Sequence, residues 1–481
     1  MRKIMCLYFG KKILSLALIN LYCDYCKNKF ERGIMGNKLF GTDGVRGVAN
    51  VYPMTADFAM KLGKACAEIV CTKTHRAAIG KDTRISGDML EAALAAGFTS
   101  MGIDVVRLGV LPTPAVTTVT PELGVDMAVM ITASHNPYKD NGIKLIAADG
   151  EKFSDAVTAE LEEKVNADDF AAGPDKIGRI SDDDSAIEKY VKIAKSTAKG
   201  NNPLKGLKVV LDCANGVFSE IMPRVYKELG ADVIVMANQP DGLNINRDCG
   251  SMHPQKMMEK VKEVKADLGI AVDGDGDRII VCDDKGEKVN SEQIIGFLAQ
   301  YMDSIGQLNG RAVVSTILSN TALERFVKEK GIPYYSTPVG ERHVVAKMKE
   351  TGGAVGGEES GHVVALDYCK SGDALVVSLI LSEGLLKSGK KMSEIFPIFA
   401  MDPFEFVSPR FESREQVKAL VKHESILKLL ENLNQEMNGE GRIVIHPSGT
   451  EPLIRIWVSG KNAGKVKKIH TTLVEAFEKL R

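Results

Sequence analysis

Short apolar runs bounded by Gly, Asp and Asn alternate along the chain with longer stretches whose hydrophobic residues recur at helical spacing, the pattern of an α/β protein. The run from Met127 to Ile131 predicts a strand buried on both faces, and Ala77 to Gly80 and Val105-Val106 predict two more in the same unit. After Thr132-Ala133-Ser134-His135-Asn136-Pro137 the chain is expected to turn at Asp140-Asn141-Gly142 and re-enter a strand at Ile143. Thr55 reads as the N-cap of a helix burying Phe58, Leu62, Cys66 and Ile69, and Ser86 as the cap of the next. A second unit opens with the strand Leu207 to Cys213, followed by helices near 219–229 and 254–264 and the apolar runs Leu268 to Val272 and Ile279 to Cys282. A third contains the strand Arg311 to Ser315, a helix from Thr321 to Lys330 and the glycine-rich stretch Gly352 to Gly357. Beyond Pro403 the rhythm changes to a small α+β unit, closed by a helix with Val466, Ile469, Leu473 and Phe477 inward.

These shifts divide the chain at 35–187, 188–290, 291–402 and 403–481, with an acidic, loosely packed connector over Ala167 to Asp184. Residues 1–34 are unlike the rest. Arg2, Lys3, Lys11 and Lys12 precede an apolar run, Ile13 to Tyr22, that mimics a signal peptide but lacks a small-residue cleavage site. The run is too short to span a bilayer. Cys23 and Cys26 form a C-x-x-C with no second pair or His cluster nearby, so zinc is not expected. The segment is expected to be a non-native or disordered extension, and a chain beginning at Met35 is expected to keep full activity and solubility. Loss of either in that truncation, measured side by side with the full chain, would contradict the expectation.

Composition narrows the function classes. With 62 basic against 63 acidic residues the net charge is −1, so no global charge draws the chain to nucleic acid or to anionic lipid. The nine cysteines are odd in number and scattered, which fits a reducing cytoplasm and not a disulfide scaffold. Gly384 to Lys390 has P-loop spacing, but Lys391 stands where a hydroxyl would bind Mg²⁺. The segment follows a predicted helix, Ala374 to Ser382, so Gly389 reads as its C-cap.

Three loops carry chemistry. Ser134 and His135 follow the buried strand Met127 to Ile131, at the strand end where α/β sheets gather ligands, and are expected to stand in a cleft. Asp273-Gly274-Asp275-Gly276-Asp277-Arg278 sets three carboxylates at alternate positions between two apolar runs. They repel unless a cation sits among them, and hard oxygen donors of this kind suit Mg²⁺. The EF-hand pattern fails, since its sixth position is Arg278 and its twelfth Asp284. Pro447 to Pro452 with Arg455 combines backbone N–H groups, two hydroxyls and a guanidinium, the makings of an anion site or of an ordinary turn.

Five motifs occur in one order: Gly41-Thr42-Asp43-Gly44-Val45-Arg46-Gly47, Thr132 to Pro137, Asp273 to Arg278, Gly357-Glu358-Glu359-Ser360-Gly361-His362 and Ser448-Gly449-Thr450-Glu451-Pro452. From about Lys38 to the end, the chain resembles the α-D-phosphohexomutases, and among them most closely the enzymes acting on glucosamine phosphate. The resemblance implies three consecutive α/β-sandwich domains plus a small C-terminal α+β domain around a central cleft. It implies a cytoplasmic isomerase that interconverts glucosamine 6-phosphate and glucosamine 1-phosphate and feeds UDP-N-acetylglucosamine synthesis, with glucose and mannose phosphates as the alternative substrates. Ser134 would carry the phosphoryl group and a hexosamine 1,6-bisphosphate would be the intermediate. Mg²⁺ would be held by Ser134, Asp273, Asp275 and Asp277, and Arg46, Lys144, Arg278 and His135 would neutralise charge or move protons. Glu358, Ser360 and His362 would grip the sugar, and Ser448, Gly449, Thr450 and Arg455 the distal phosphate. The implied partner is a small sugar phosphate, with no nucleic acid and no membrane, and a homodimer is open.

The chain departs from its relatives in places. His446 stands where they usually carry Arg, which exchanges a bidentate cation for one imidazole donor. Arg442, on the same strand face, is placed to substitute in part. Thr132 and Glu359 stand where glucosamine-phosphate enzymes more often have Ser and Gln. Lys81 and Arg84 read either as positive potential near the site or as a solvated face. A phosphatase is the competing activity, distinguished by steady phosphate release without isomer formation.

Overall fold

A computed structural model describes residues 39–41, 43–165, 171–308, 310–448 and 451–481. The expectations for 1–34, and for Gly449 and Thr450, lie outside them.

The first sheet has six strands, in the spatial order Val45–Val48, Asp140–Ala147, Met127–Ile131, Arg76–Lys81, Asp104–Val110 and Ile180–Asp182. Met127–Ile131 is fully buried, as its unbroken apolar run requires. It lies parallel to Arg76–Lys81 and antiparallel to Asp140–Ala147. That second pairing begins earlier than expected. Asp140, Asn141 and Gly142 are already strand, opposite Val48, Gly47 and Arg46, because the turn closes at Asn136 to Lys139. The acidic connector contributes Ile180–Asp182, an exposed edge strand.

Thr55 caps the helix Ala56–Ile69, its hydroxyl accepting the N–H of Phe58 at 3.2 Å. Ser86 is not a cap. It is the first residue of the helix Ser86–Ser100, and its hydroxyl instead accepts from the Asn141 amide at 2.8 Å.

The second sheet runs Lys288–Val289, Ile279–Cys282, Leu268–Val272, Lys208–Asp212 and Asp232–Met236. The third runs Tyr334–Thr337, Val313–Thr316, Val355–Gly357 and Val363–Ala365. The helix expected at Ala374 continues to Ser388, because Leu385 and Leu386 prolong its apolar face. Gly389 ends it at φ +65°, as a helix cap and not a phosphate loop.

The last sheet is antiparallel throughout, with Ile454–Gly460 between Phe404–Val407 and Gly441–Pro447. Its core, which includes Ile454, Ile456 and Val458 against Val466, Ile469, Leu473 and Phe477, is its own. The first three units share one continuous apolar core, from Ala78 through Phe218 and Leu298 to Phe396. The C-terminal unit therefore meets the rest mainly through polar contacts. Arg442 bonds Glu324 at 2.6 Å and donates to the Ile317 carbonyl at 3.3 Å. All four units line a common cleft of about 700 Å³, represented by Arg46, Arg278, Glu358 and Arg455.

Candidate active site

Ser134 ends the buried strand Met127–Ile131 by way of Thr132, at φ +53°, a conformation uncommon for residues with a side chain. Its N–H donates to the Thr132 hydroxyl at 2.9 Å, and that hydroxyl donates to Asp82 at 2.6 Å. Arg84 fixes the loop from below. Only 2% exposed, it bonds Asp82 and donates to the carbonyls of Ser134, Asn136 and Pro137. The Asn246 amide donates to the Ser134 and Asn136 carbonyls as well. Neither option left open by the sequence describes Arg84, which is a buried brace. Lys81 instead pairs with Asp88 and Glu91. Arg84→Met is expected to lower stability by about 3–5 kcal/mol, because it strands the Asp82 carboxylate in the interior. Thermal or denaturant unfolding checks this, and a change below about 1 kcal/mol would contradict it.

The acidic turn approaches from the second sheet. The Ser134 hydroxyl donates to Asp273 Oδ2 at 2.6 Å, and Asp273 Oδ1 accepts the Arg278 N–H at 3.1 Å. Such an approach needs glycine between the carboxylates. A Cβ on Gly274 would lie 2.8 Å from the Ser134 carbonyl oxygen, and one on Gly276, at φ +77°, 2.3 Å from Phe218. Lys144 Nζ donates to Asp275 Oδ2 at 2.7 Å and to Asp277 Oδ2 at 2.9 Å, and the Thr113 hydroxyl donates to Asp275 Oδ2 at 2.6 Å.

Carboxylate oxygens of Asp273, Asp275 and Asp277 lie within 4.8 Å of one another. Asp275 Oδ1 is buried with no hydrogen-bond partner among the described residues. An unmatched buried carboxylate oxygen beside two others, all hard donors, fits a divalent cation. The electrostatics agree. Burial, then Asp277 and Asp275, push the Asp273 carboxyl well above its usual range. Burial acts on Asp277 too, but Lys144 and His362 pull that carboxyl well below.

Ser134 is 1% exposed, its hydroxyl turned inward to Asp273. His135 Nδ1 is 3.4 Å from its Oγ. Burial, Arg278 and Arg46 lower the His135 imidazole to about 4, so it is neutral at pH 7. Arg46 donates to Asp43, which also accepts from Lys152 at 2.6 Å. Burial would raise the Asp43 carboxyl, but Lys144, Lys152 and Arg46 hold it well below the usual range. Lys152 continues to Glu341 at 2.8 Å, tying the first unit to the third.

On the far wall, Glu358 Oε1 accepts the Gly340 N–H at 2.8 Å, and His362 bridges Glu358 Oε2 and Asp277 Oδ1 at 3.2 Å each. Burial alone would discharge that ring, but Asp277 and Glu358 raise it to about 10, so both nitrogens carry protons. The nearby Arg278 Nε, at 3.2 Å, is then a contact and not a hydrogen bond. Ser360 is exposed at the cleft and Ser448 is buried at the loop base.

Arg455 lines the cleft and has no carboxylate partner among the described residues. Arg442 does not join it. Its guanidinium bonds Glu324 and the Thr316 and Ile317 carbonyls, which removes it as a substitute at the anion loop. His446 pairs across the sheet with Arg455, and burial followed by Arg455 lowers its imidazole, so it adds no charge.

Asp43, Thr113, Lys152 and Glu341 were not singled out from the sequence. Asp43 lies inside the first motif. No local pattern marks Lys152, whose partners are far away in the chain.

Four family profiles cover the chain: phosphoglucomutase/phosphomannomutase α/β/α domain I over 37–172, domain II over 186–286, domain III over 290–400 and the C-terminal domain over 410–476. The chain is 44% identical to the phosphoglucosamine mutase of Phenylobacterium zucineum over 92% of its length and 98% of the relative's. It is 43% identical to that of Agrobacterium fabrum, covering 93% and 99%. In fold it is similar to a phosphoglucomutase/phosphomannomutase family protein of Burkholderia thailandensis, with TM-score 0.77 and 24% identity over 92% of this chain and 97% of that one. It is also similar to Aspergillus fumigatus N-acetylphosphoglucosamine mutase, with TM-score 0.65 and 16% identity over 92% and 96%. Identity at this level across nearly the whole chain, on a fold that brings Ser134 against three buried carboxylates, places it in the phosphoglucomutase/phosphomannomutase family of isomerases, with the phosphoglucosamine mutases.

Proposed function

We propose that the chain interconverts glucosamine 6-phosphate and glucosamine 1-phosphate through a phosphoseryl group on Ser134 and a bound hexosamine 1,6-bisphosphate. The observation that carries this reading is the 2.6 Å contact between Ser134 Oγ and Asp273, with Lys144 spanning Asp275 and Asp277 beside it. Transfer breaks the bond from phosphorus to Ser134 Oγ and forms one to a sugar hydroxyl, whose proton leaves. The sugar then reverses, and its other phosphate returns to the serine.

Mg²⁺, held by Asp273, Asp275, Asp277 and the Ser134 oxygen, would polarise the transferring group. Arg46, Lys144 and Arg278 neutralise its oxygens. Neutral His135 is placed to take the hydroxyl proton. Glu358 and Ser360 meet the sugar hydroxyls, while His362 locks the sugar loop to Asp277. Arg455 with the Ser448–Gly449–Thr450 loop anchors the distal phosphate. In this reading the 481-residue chain is divided at 187, 290 and 402, with the phosphoserine loop in the first domain, the carboxylate loop in the second, the sugar loop in the third and the distal phosphate loop in the fourth.

A coupled assay with glucosamine 6-phosphate, Mg²⁺ and a trace of hexosamine bisphosphate tests the proposal. Turnover of glucosamine phosphate above that of glucose and mannose phosphates is expected. Preference for either neutral sugar would favour a phosphoglucomutase/phosphomannomutase, and steady phosphate release without isomer a phosphatase.

A further inference from the structure

A carboxylate that serves a cation through one oxygen needs the other held, or the side chain turns away. Each of the three acidic residues has such a hold. Asp273 Oδ1 accepts the Arg278 N–H, and Asp277 Oδ2 accepts from the Lys144 ammonium. Asp275 Oδ2 takes two donors, the Lys144 ammonium at 2.7 Å and the Thr113 hydroxyl at 2.6 Å. Its Oδ1 is buried with no hydrogen-bond partner among the described residues.

The two donors on Asp275 differ in kind. Lys144 is shared, since its Nζ also bonds Asp277 and lies 3.6 Å from Asp43, and in the proposed reaction it turns to the phosphoryl oxygens as well. A long, flexible cation divided in this way fixes no single carboxylate, and its charge opposes that of a metal ion. Thr113 has one task. It comes from the first unit, is 3% exposed, and its branched side chain has little rotamer freedom. Its backbone N–H donates to the Asp275 carbonyl at 3.0 Å, so main chain and side chain of that residue are both registered against one threonine. A hydroxyl orients the carboxylate without neutralising it.

We infer that Thr113 is a positioning residue for the metal: by holding Asp275 Oδ2 it leaves Oδ1 committed to the cation. The metal site is then complete only when the first unit, which supplies Thr113, is docked on the second. The inference rests on the Mg²⁺ reading of the carboxylate cluster.

The test measures Mg²⁺ affinity by calorimetric titration of the chelator-treated chain, without substrate, in wild type, in Thr113→Val and in Thr113→Ser. The Val variant, of nearly the same shape but without the hydroxyl, is expected to bind about 10- to 100-fold more weakly, the range for losing a group that orients a metal ligand. The Ser variant, which restores the hydroxyl, is expected to stay within a few-fold of wild type. The Mg²⁺ concentration that gives half the maximal isomerase rate should rise by the same factor in the Val variant, while kcat at saturating Mg²⁺ changes far less. The loop should survive the change, because the Thr113 N–H bond to the Asp275 carbonyl and the Ala374 N–H bond to the Gly276 carbonyl, at 3.1 Å, use no side chain. Unfolding midpoints in chelator check this, and Thr113→Ala gives the same comparison should the Val variant not fold. A Val variant that binds Mg²⁺ as wild type does would overturn the inference. An equal loss in the Val and Ser variants would do so as well, by assigning the effect to packing and not to the hydroxyl. Absence of Mg²⁺ binding by the wild-type chain is a separate result, which sinks the metal reading before any variant is compared.

Discussion

Ser134→Ala is expected to lose isomerase activity by on the order of 10⁴-fold or more while remaining folded. The size follows from the chemistry. A shuttle that lends and reclaims one phosphoryl group has no pathway without the oxygen that carries it, whereas residues that only neutralise charge can be partly covered by neighbours. Folding should survive because alanine tolerates φ +53° about as well as serine, and the Ser134 carbonyl stays anchored by Arg84 and Asn246. What is lost is one buried hydrogen bond to Asp273, worth about 1 kcal/mol. Isomer formation followed beside thermal unfolding gives both readouts. Residual activity within tenfold of wild type would remove Ser134 from its role, and a collapse in stability would leave the loss of rate without a catalytic meaning.

The second large effect concerns the carboxylates. Asp275→Asn is expected to reduce the Mg²⁺-dependent rate by about 10²- to 10³-fold, the range for removing one preorganised electrostatic contact to a transferring group. Its stability signature is more diagnostic. In chelator, wild type folds with three crowded carboxylates beside Lys144, Arg278, His362 and Arg46, so removing one negative charge should leave the unfolding midpoint unchanged or slightly raised. The Thr113 and Lys144 bonds to Asp275 Oδ2 are retained if the amide oxygen takes that position. Adding Mg²⁺ should stabilise wild type by about 2.7 kcal/mol at a hundred times its dissociation constant, and Asp275→Asn hardly at all. A variant that gains as much from Mg²⁺ as wild type would show that the ion sits elsewhere.

Much of the site is legible in the sequence because its loops interrupt strands. An apolar run that stops at Ser134, and three carboxylates between Leu268–Val272 and Ile279–Cys282, are local patterns, and the fold brings their ends into contact. The closing helix is legible for the same reason, since Val466, Ile469, Leu473 and Phe477 recur at its period and all four are buried. What escaped notice is set by distant partners. Arg84 looks like a surface cation until the carbonyls of Ser134, Asn136 and Pro137, some fifty residues on, are seen to converge on it. Lys152 bridges Asp43 and Glu341, and nothing near it in the chain marks it. Arg442 shares a strand face with His446, which suggested a shared task, yet Glu324 of the third unit claims its charge. Strand faces can be read from period two. Which partner a long cationic side chain chooses cannot, because it depends on packing between units.

The most direct measurement is the mass of the peptide containing Ser134 after exposure to hexosamine 1,6-bisphosphate and Mg²⁺. One added phosphate on that residue is expected, and incubation with glucosamine 6-phosphate or glucosamine 1-phosphate should discharge it while bisphosphate appears in solution. Phosphate on another residue, or full turnover by a protein whose Ser134 never gains it, would contradict the account.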